Sequence, residues 1–192
     1  MEYEVTPPAA LPTRWGAFEV VAFRFGEAEH VAVLKGEVSG TRVLARVHSS
    51  CLTGDVLGSG RCDCGAQLSA ALSAIEREGR GVLLYLNQEG RGIGLFNKIR
   101  AYHEQDRGAN TVEANERLGF QADAREYDQA VAMLRHLGVR SVRLLTNNPA
   151  KVKALEAAGL PVEERVPHAP GHTEVNRIYL ATKRDLMGHL IP

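Results

Sequence analysis

The chain of 192 residues is 44% hydrophobic and 24% charged, which is typical of a folded globular protein and excludes a disordered chain. Lysine plus arginine and aspartate plus glutamate number 23 each, so the charge balance favours neither nucleic acid nor an acidic membrane surface as a partner. No apolar run reaches the length of a membrane span, and the first residues lack the pattern of a signal peptide. We therefore expect a single cytoplasmic domain over residues 1–192, with neither a nucleic-acid nor a membrane partner.

The N-terminal part of the sequence predicts extended structure. Residues 1–14, with prolines at positions 7, 8 and 12, predict an extended arm, with regular structure beginning after it. Residues 15–25, 31–35 and 42–48 are rich in β-branched and aromatic side chains and are separated by glycine-containing turns. This pattern is typical of an antiparallel meander, in which consecutive strands pair with each other.

The rest of the chain alternates between strand and helix patterns. The predicted helices span 65–77, 95–105, 127–137 and a segment capped by Asn148 with Pro149 at its first position, and the predicted strands span 82–86, 141–145 and 161–166. Residues 110–125 show no clear period, and 178–187 predict a strand that enters a short helix. We expect an α/β (α+β) fold: one domain with a mixed sheet, an N-terminal antiparallel meander and helices packed on the sheet.

All three cysteines lie in one loop segment, at Cys51, Cys62 and Cys64. Cys62 and Cys64 are separated by one residue, so in an extended backbone their side chains lie on the same face. The glycine-rich residues between 53 and 60 can fold the chain back and bring Cys51 to them. Three thiolates suit zinc, and catalytic zinc sites keep three protein ligands and one open position. The segment therefore predicts a hydrolytic metal site.

Other interpretations of the cysteine segment remain open. Free cysteines are often small buried apolar side chains, although a segment rich in glycine and aspartate is poor core material. A fourth ligand, His48 or Asp55, would close the site and make the zinc structural. A disulfide is disfavoured, because the C-x-C pair is badly placed for bridging and a third cysteine would remain.

A second group of residues predicts contact with an anion. Glycines at positions 90, 92 and 94 alternate between a strand and a helix, where the backbone can approach phosphate and Arg91 offers a fork of donors. A plain tight turn would show the same glycines. Lys151 lies in the first turn of a helix, where a cation opposes the helix dipole unless it faces an anionic ligand. Asp123 and Arg125, two residues apart, are also compatible with a surface ion pair.

Six ordered blocks together resemble the GTP cyclohydrolase II family, over residues 11–190. The blocks are R-V-H-S-S-C-L-T-G-D (46–55), R-C-D-C-G (61–65), Q-E-G-R-G-I-G-L (88–95), N-K-I-R-A-Y (97–102), T-V-E-A-N (111–115) and L-L-T-N-N-P (144–149). Larger members of that family fuse this domain to a dihydroxybutanone phosphate synthase domain. The present chain resembles the stand-alone form, because its length leaves no room for a second domain of that kind.

The resemblance implies opening of the imidazole ring of GTP, with loss of formate and pyrophosphate, as the first step of riboflavin biosynthesis. The implied product is 2,5-diamino-6-hydroxy-4-(5-phosphoribosylamino)pyrimidine. The resemblance further implies one zinc ion per chain on Cys51, Cys62 and Cys64, which would activate a water molecule for attack at guanine C8. Magnesium on the triphosphate and a homodimer are also expected, with the apolar N-terminal strands as a candidate dimer surface.

The resemblance also assigns site residues. Tyr102 matches a tyrosine proposed to handle protons, Arg125 matches a proposed nucleophile toward the α-phosphate, and Asp123 matches its proton acceptor. Because guanidinium is almost never deprotonated, stabilisation of the departing pyrophosphate is the physically safer role for Arg125. The implied GTP contacts are Arg46, Val47, His48, Ser49, Ser50, Gln67, Glu89, Gly90, Arg91, Thr111, Thr146 and Lys151.

Two positions depart from the family pattern. Ser50 stands where glutamate is common, and Asn87 stands where arginine is common, so a carboxylate and a cation are missing from these loops. Alternative functions are a related purine nucleotide hydrolase with another product, or a nucleotide-binding module with structural zinc. A zinc-finger nucleic-acid binder is disfavoured, because the cysteine spacing departs from paired C-x2-C and the charge is balanced.

Overall fold

An eight-stranded mixed sheet forms the centre of the computed structural model, which describes residues 1–191. Its strands are β1 (Glu4–Val5), β2 (Ala9–Thr13), β3 (Gly16–Phe25), β4 (Ala28–Lys35), β5 (Val43–Ser49), β6 (Gly81–Leu86), β7 (Val142–Leu145) and β8 (Val162–Val166). Strands β1 and β2 both pair antiparallel with β3, and β3–β4 and β4–β6 are also antiparallel. Strands β6, β5, β7 and β8 run parallel in that order. The mixed sheet and its N-terminal meander confirm the predicted fold class.

Helices cover both faces of this sheet. They are α1 (Cys64–Glu78), α2 (Gly94–Asp106), α3 (Thr111–Arg117), α4 (Asp128–His136), α5 (Pro149–Ala157) and α6 (Arg177–Met187), with a π-helical turn at Leu52–Val56 and a 3-10 turn at Glu89–Gly92. Within residues 1–191, none of the helices combines the length and the apolar character that a membrane crossing requires.

The structure corrects the prediction in two respects, the order of the strands and the place where regular structure begins. β5 is not the third strand of the meander, because β6 lies between β4 and β5 and pairs with both. Six of the seven residues of β5 are buried, as expected for a central parallel strand covered on both faces. Regular structure also begins inside the predicted arm, where β1 and β2 both pair with β3 at the edge of the sheet. Pro12 is tolerated there because an edge strand can do without one backbone donor.

Helix ends follow the predicted signals, whereas two segments, now α3 and α6, differ from the prediction in their secondary structure. Gly79 ends α1 with φ of 73°, and the Asn148 side chain accepts from the Ala150 backbone N–H at the start of α5. Helix α3 lies in the segment for which no period was found, and its signal is a capping box between Asn110 and Glu113. The strand predicted at the start of 178–187 is wrong, since α6 is helical throughout.

Two apolar layers hold the sheet and leave one end open. Phe23, Met133 and Leu144 belong to a layer beneath α4 and α5, and Leu72 and Leu83 belong to a layer beneath α1. Because both faces are covered, ligands have access to the ends of the strands. The carboxyl ends of β5, β6 and β7 lie at one edge, which is where open α/β sheets bind ligands.

Candidate active site

A single pocket lies where the chain leaves β5, β6 and β7. The loop after β5 carries the cysteines, the turn after β6 carries Glu89 and Arg91, and the loop after β7 leads to Lys151. The predicted site residues that line this pocket are Arg46, His48, Ser49, Ser50, Cys51, Cys62, Cys64, Gln67, Glu89, Gly90, Arg91, Tyr102, Thr111, Arg125, Thr146 and Lys151. Val47 and Asp123 do not line it, although each bonds to a lysine or arginine that does. Loops and helices far apart in sequence are thus brought together.

The three cysteine sulfur atoms form a cluster that fits a metal ion. All lie within 4.8 Å of one another, and the Cys51 and Cys62 sulfurs are 3.7 Å apart. Two thiolates bound to one tetrahedral zinc at about 2.3 Å would be about 3.8 Å apart, so the spacing fits. Gly54 makes room for the cluster, since a Cβ there would lie 2.7 Å from the Cys62 sulfur. The donor set, thiols alone, is one that zinc prefers.

Lys98 contacts the cluster directly. Its ammonium donates to the Cys51 sulfur at 3.1 Å and to Glu89 Oε1 at 2.8 Å. Hydrogen bonds from Cys62 and Cys64, followed by Lys98, hold the pKa of Cys51 well below its usual range. The same sharing of protons with Cys51 raises the pKa of Cys62 to about 11. The Lys98 ammonium beside the Cys51 sulfur is thus a cation that favours the thiolate form of this cysteine.

Glu89 joins the cysteine loop to the turn after β6. Its Oε2 accepts from the Leu52 backbone N–H at 2.7 Å, and its Oε1 accepts from Lys98 and from the Gly90 backbone N–H. A carboxylate offers about four lone-pair sites, so about one remains for a ligand. The carboxylate is only 12% exposed, so it is a fixed part of the pocket wall.

The two side chains considered as a fourth metal ligand bond to each other instead. His48 Nε2 lies 3.0 Å from Asp55 Oδ2, the oxygen that also accepts from the Cys51 backbone N–H and the Tyr85 hydroxyl. Burial lowers the pKa of His48, which favours its neutral form. Within residues 1–191, the metal-ligand cluster comprises the three cysteines without either of them. This arrangement favours an open fourth position over a closed structural site.

Cations occupy another part of the wall. Arg125 forms a bidentate pair with Asp123, with N–O distances of 2.8 and 2.5 Å, and its side chain is 13% exposed. Lys151 is buried and donates to the Val47 carbonyl at 2.8 Å. Burial, followed by repulsion from Arg46 and Arg125, lowers the pKa of Lys151 well below its ordinary value. Such crowding of cations is unfavourable in an empty pocket and favourable around a polyanion.

The glycine turn holds Arg91 in an uncommon backbone conformation. Arg91 has φ of 63° between Gly90 and Gly92, which also have positive φ. A Cβ at Gly92 would meet the Ala124 carbonyl oxygen at 3.0 Å, so the turn is pressed against the segment that leads to Arg125. The strained backbone brings two guanidinium groups to one pocket.

Tyr102 lies beside the cysteine cluster. Its hydroxyl is 3.0 Å from Thr53 Oγ1, and the Arg61 guanidinium lies 4.8 Å from its ring centre. Burial raises the pKa of Tyr102, so it holds its proton at neutral pH. A protonated phenol at this place can donate a hydrogen bond to a substrate atom near the metal site.

The sequence interpretation missed several pocket residues. Lys98 precedes Tyr102 by four residues on α2, and this helical spacing is a signal that places both on one face. Tyr179, Lys183 and His189 also line the pocket, but they come from a segment whose pattern was interpreted in part as a strand. The sequence signal for a helix in that segment is the spacing of three residues between Leu180 and Lys183, which are both buried.

A thiol cluster that could hold a metal ion and a wall of cations suited to an anion face one pocket at the ends of parallel strands, and this arrangement is typical of hydrolases that act on nucleotides. The comparison with known proteins then gives the family. Residues 4–167 match the family described as GTP cyclohydrolase II, and the chain belongs to that family.

Curated relatives support this membership across the chain. The GTP cyclohydrolase-2 of Pseudomonas entomophila is 61% identical over 185 residues, which are 94% of this chain and 90% of that protein. The GTP cyclohydrolase-2 of Shewanella amazonensis is 54% identical over 194 residues, 100% of this chain and 95% of that protein.

A solved structure, the two-domain 3,4-dihydroxy-2-butanone 4-phosphate synthase RibBX from A. baumannii, aligns at 22% identity with a TM-score of 0.47, covering 87% of this chain and 40% of that one.

Proposed function

We propose that this protein is a zinc-dependent GTP cyclohydrolase II, which opens the imidazole ring of GTP and releases formate and pyrophosphate. One observation carries the proposal: the three-thiol cluster and the cations Arg91, Arg125 and Lys151 line the same pocket. A substrate that spans both must place a hydrolysable group near the thiols and several negative charges near the cations. GTP has this form, and relatives named GTP cyclohydrolase-2 share about 60% of the sequence. The product would be the diaminopyrimidine that begins riboflavin biosynthesis.

Zinc would be held by Cys51, Cys62 and Cys64. When bound, it supplies activation of water at neutral pH, which is the chemistry that attack at guanine C8 needs. Lys98 would hold Cys51 as a thiolate and offset part of the negative charge of the three ligands. Magnesium would accompany the triphosphate, because phosphate oxygens are ligands that Mg²⁺ prefers.

The cation wall would hold the triphosphate and thereby orient the base. Arg91 and Lys151 would bond phosphate oxygens, and Arg125, fixed by Asp123, would stabilise the departing pyrophosphate. For the other residues that line the pocket, we propose the substrate contacts that the family resemblance implies. Glu89 has about one acceptor site left, so we assign it one hydrogen bond to guanine and a main role in joining two loops. Tyr102 would donate its proton near the reacting carbon.

We further propose that the chain works as one domain, 1–192, in the reducing cytoplasm and as a homodimer. Pro192 lies outside the described residues. The pocket takes side chains from β5 through the residues after α6, so its parts do not separate into independent units. Exposed apolar side chains concentrate at 52–57 and 95–99, where Val56 is 70% and Phe96 77% exposed. We therefore propose these residues as the dimer contact in place of the N-terminal strands, in which Val5 is the exposed large apolar side chain. Sedimentation of Phe96→Glu should show monomers where the unmodified chain shows dimers.

The decisive experiment follows formate and pyrophosphate separately after GTP is added to the zinc-loaded protein, with and without a chelator. Both products should appear together and should stop when zinc is removed. Cys62→Ser serves as the variant that keeps the fold but lacks one ligand. A zinc-loaded preparation that leaves GTP unchanged would sink the proposal. Retention of the formyl carbon in the product, seen by mass spectrometry, would instead favour a related purine nucleotide hydrolase.

A further inference from the structure

Helix α6 and the residues after it form a wall of the pocket that the family match over residues 4–167 does not include. Tyr179 and Lys183 from the helix, and His189 and Ile191 from the tail, line the cavity. The tail is attached by the backbone, since the Leu190 N–H donates to the Asn147 carbonyl at 2.8 Å. The C-terminal segment therefore contributes side chains to the site itself.

Lys183 reaches the cysteine loop through a buried ion pair. Its ammonium donates to Asp63 Oδ1 at 2.6 Å, and Lys183 and Asp63 are 8% and 2% exposed. Asp63 stands between the ligands Cys62 and Cys64. Its other oxygen accepts from Gln67 Nε2 at 2.6 Å, and Gln67 in turn accepts from Arg46. One lysine of α6 thus fixes the residue that joins two metal-binding thiols.

A helix that needed only attachment to the surface would not require this pair. Burying two charges costs desolvation energy, and an apolar contact of similar size is often as stable. The neighbouring Arg184 avoids this desolvation cost, because its ion pair with Asp185 is exposed to solvent. At Asp63 the charge has a local purpose, because Asp63 lies between Cys62 and Cys64, which would be thiolates when they bind a metal ion and would repel its carboxylate. Lys183 offsets that repulsion on one side of the cluster, as Lys98 does at Cys51.

Helix α6 also contacts the loops after the other two strands. The Arg91 guanidinium donates to the Met187 sulfur at 2.9 Å, and the tail bonds to Asn147 as described. We propose that α6 positions all three loops of the active site and that Lys183 is a positioning residue for the zinc ligands, acting through Asp63. This inference rests on the proposed zinc enzyme and adds a residue outside the matched family region.

The test compares Lys183→Met and Lys183→Arg with Arg184→Met, a control on the exposed side of the same helix. Zinc affinity is measured by competition with a colorimetric chelator in the absence of GTP. Loss of a group that orients metal ligands typically weakens metal binding about 10- to 100-fold, and we expect a loss in this range for Lys183→Met. Lys183→Arg should recover most of the affinity because it keeps the charge. Arg184→Met should bind zinc as the unmodified protein does.

Unchanged zinc affinity in folded Lys183→Met would overturn the inference, as would an equal loss in Arg184→Met. If Lys183→Met does not fold, the double variant Asp63→Asn with Lys183→Met removes the unpaired buried charge. The proposal expects this double variant to fold and to bind zinc more weakly than the unmodified protein, because the side chain at position 63 is no longer held by an ion pair. Zinc affinity in the folded double variant equal to that of the unmodified protein would contradict it. Because no GTP is present, failure of the GTP assay would reject the proposed function without deciding this test.

Discussion

Replacement of Lys98 by methionine tests how the thiol cluster is held. Methionine keeps the length of the buried side chain and removes the ammonium that donates to the Cys51 sulfur and to Glu89. Burial lowers the pKa of Lys98, but the bonds to Glu89 and Cys51 outweigh this and raise it above its ordinary value. Lys98 is therefore charged throughout the range in which an enzyme of this kind would work.

The size of the effect follows from these contacts. Loss of a hydrogen bond to a charged group costs about 1.5 to 3 kcal/mol. Glu89 keeps two backbone donors, so most of the loss falls on Cys51, and we expect about 2 to 3 kcal/mol in zinc binding. This corresponds to a weakening of about 30- to 150-fold. Chelator competition at neutral pH measures it directly.

Arg100→Met is the matched control, since Arg100 is exposed on the same helix and bonds only to Asn97. It should leave zinc affinity and formate release unchanged. Lys98→Arg should lie between the two, because it keeps the charge in a larger group. Zinc affinity in Lys98→Met equal to that of the unmodified protein would refute the reasoning that this lysine stabilises the Cys51 thiolate.

Three further predictions concern space and protonation. Gly54→Ala should abolish tight zinc binding, because its Cβ would lie 2.7 Å from the Cys62 sulfur. Gly60→Ala should keep tight zinc binding, and equal zinc contents in the two variants would contradict the prediction. Burial lowers the pKa of His168 from 6.5 to about 4, so the unfolded chain binds the extra proton between these values. The free energy of unfolding should therefore fall as pH drops through that window, by up to about 3 kcal/mol. Denaturant titrations of His168→Gln should lack this part of the fall, and an identical pH profile would exclude it. Because the pKa of Lys151 is lowered in the free protein, bound pyrophosphate should raise it and binding should take up protons and strengthen as pH falls. Calorimetry in two buffers measures the proton uptake, which should decrease in Lys151→Met. An unchanged proton uptake in this variant would argue against a role of Lys151 in binding pyrophosphate.

The cysteine segment was predictable because its signal is local. Two thiols one residue apart and a glycine-rich return are enough to predict a shared ion, and the structure brings the three sulfurs together. The caps were local too, as Asn148 and Pro149 show at the start of α5. The capping box of α3 was of the same kind and was available in the sequence, although no apolar period accompanied it.

Long-range pairing was not predictable in this way. The composition of β5 fits an antiparallel or a parallel strand, and only the insertion of β6 beside it decides between them. The partner of Lys183 is 120 residues away in the chain, so no spacing rule connects it with Asp63. The same holds for Lys151, whose burial among cations follows from the packing of α5 against the end of β5. Local patterns thus predicted the thiol cluster, whereas tertiary packing determines which charges surround it.

Those surrounding charges separate the pocket into two halves with different requirements. Around the thiols, Lys98 offsets part of the negative charge of the cluster, and Lys183 neutralises the charge of Asp63. Around Arg125 and Lys151, repulsion among cations remains, and together with the larger effect of burial it lowers the pKa of Lys151. A polyphosphate relieves that repulsion only if it lies at the cation half, which leaves the other end of the ligand at the thiols. In the proposed complex, the distribution of charge therefore sets the orientation of a nucleoside triphosphate in the pocket.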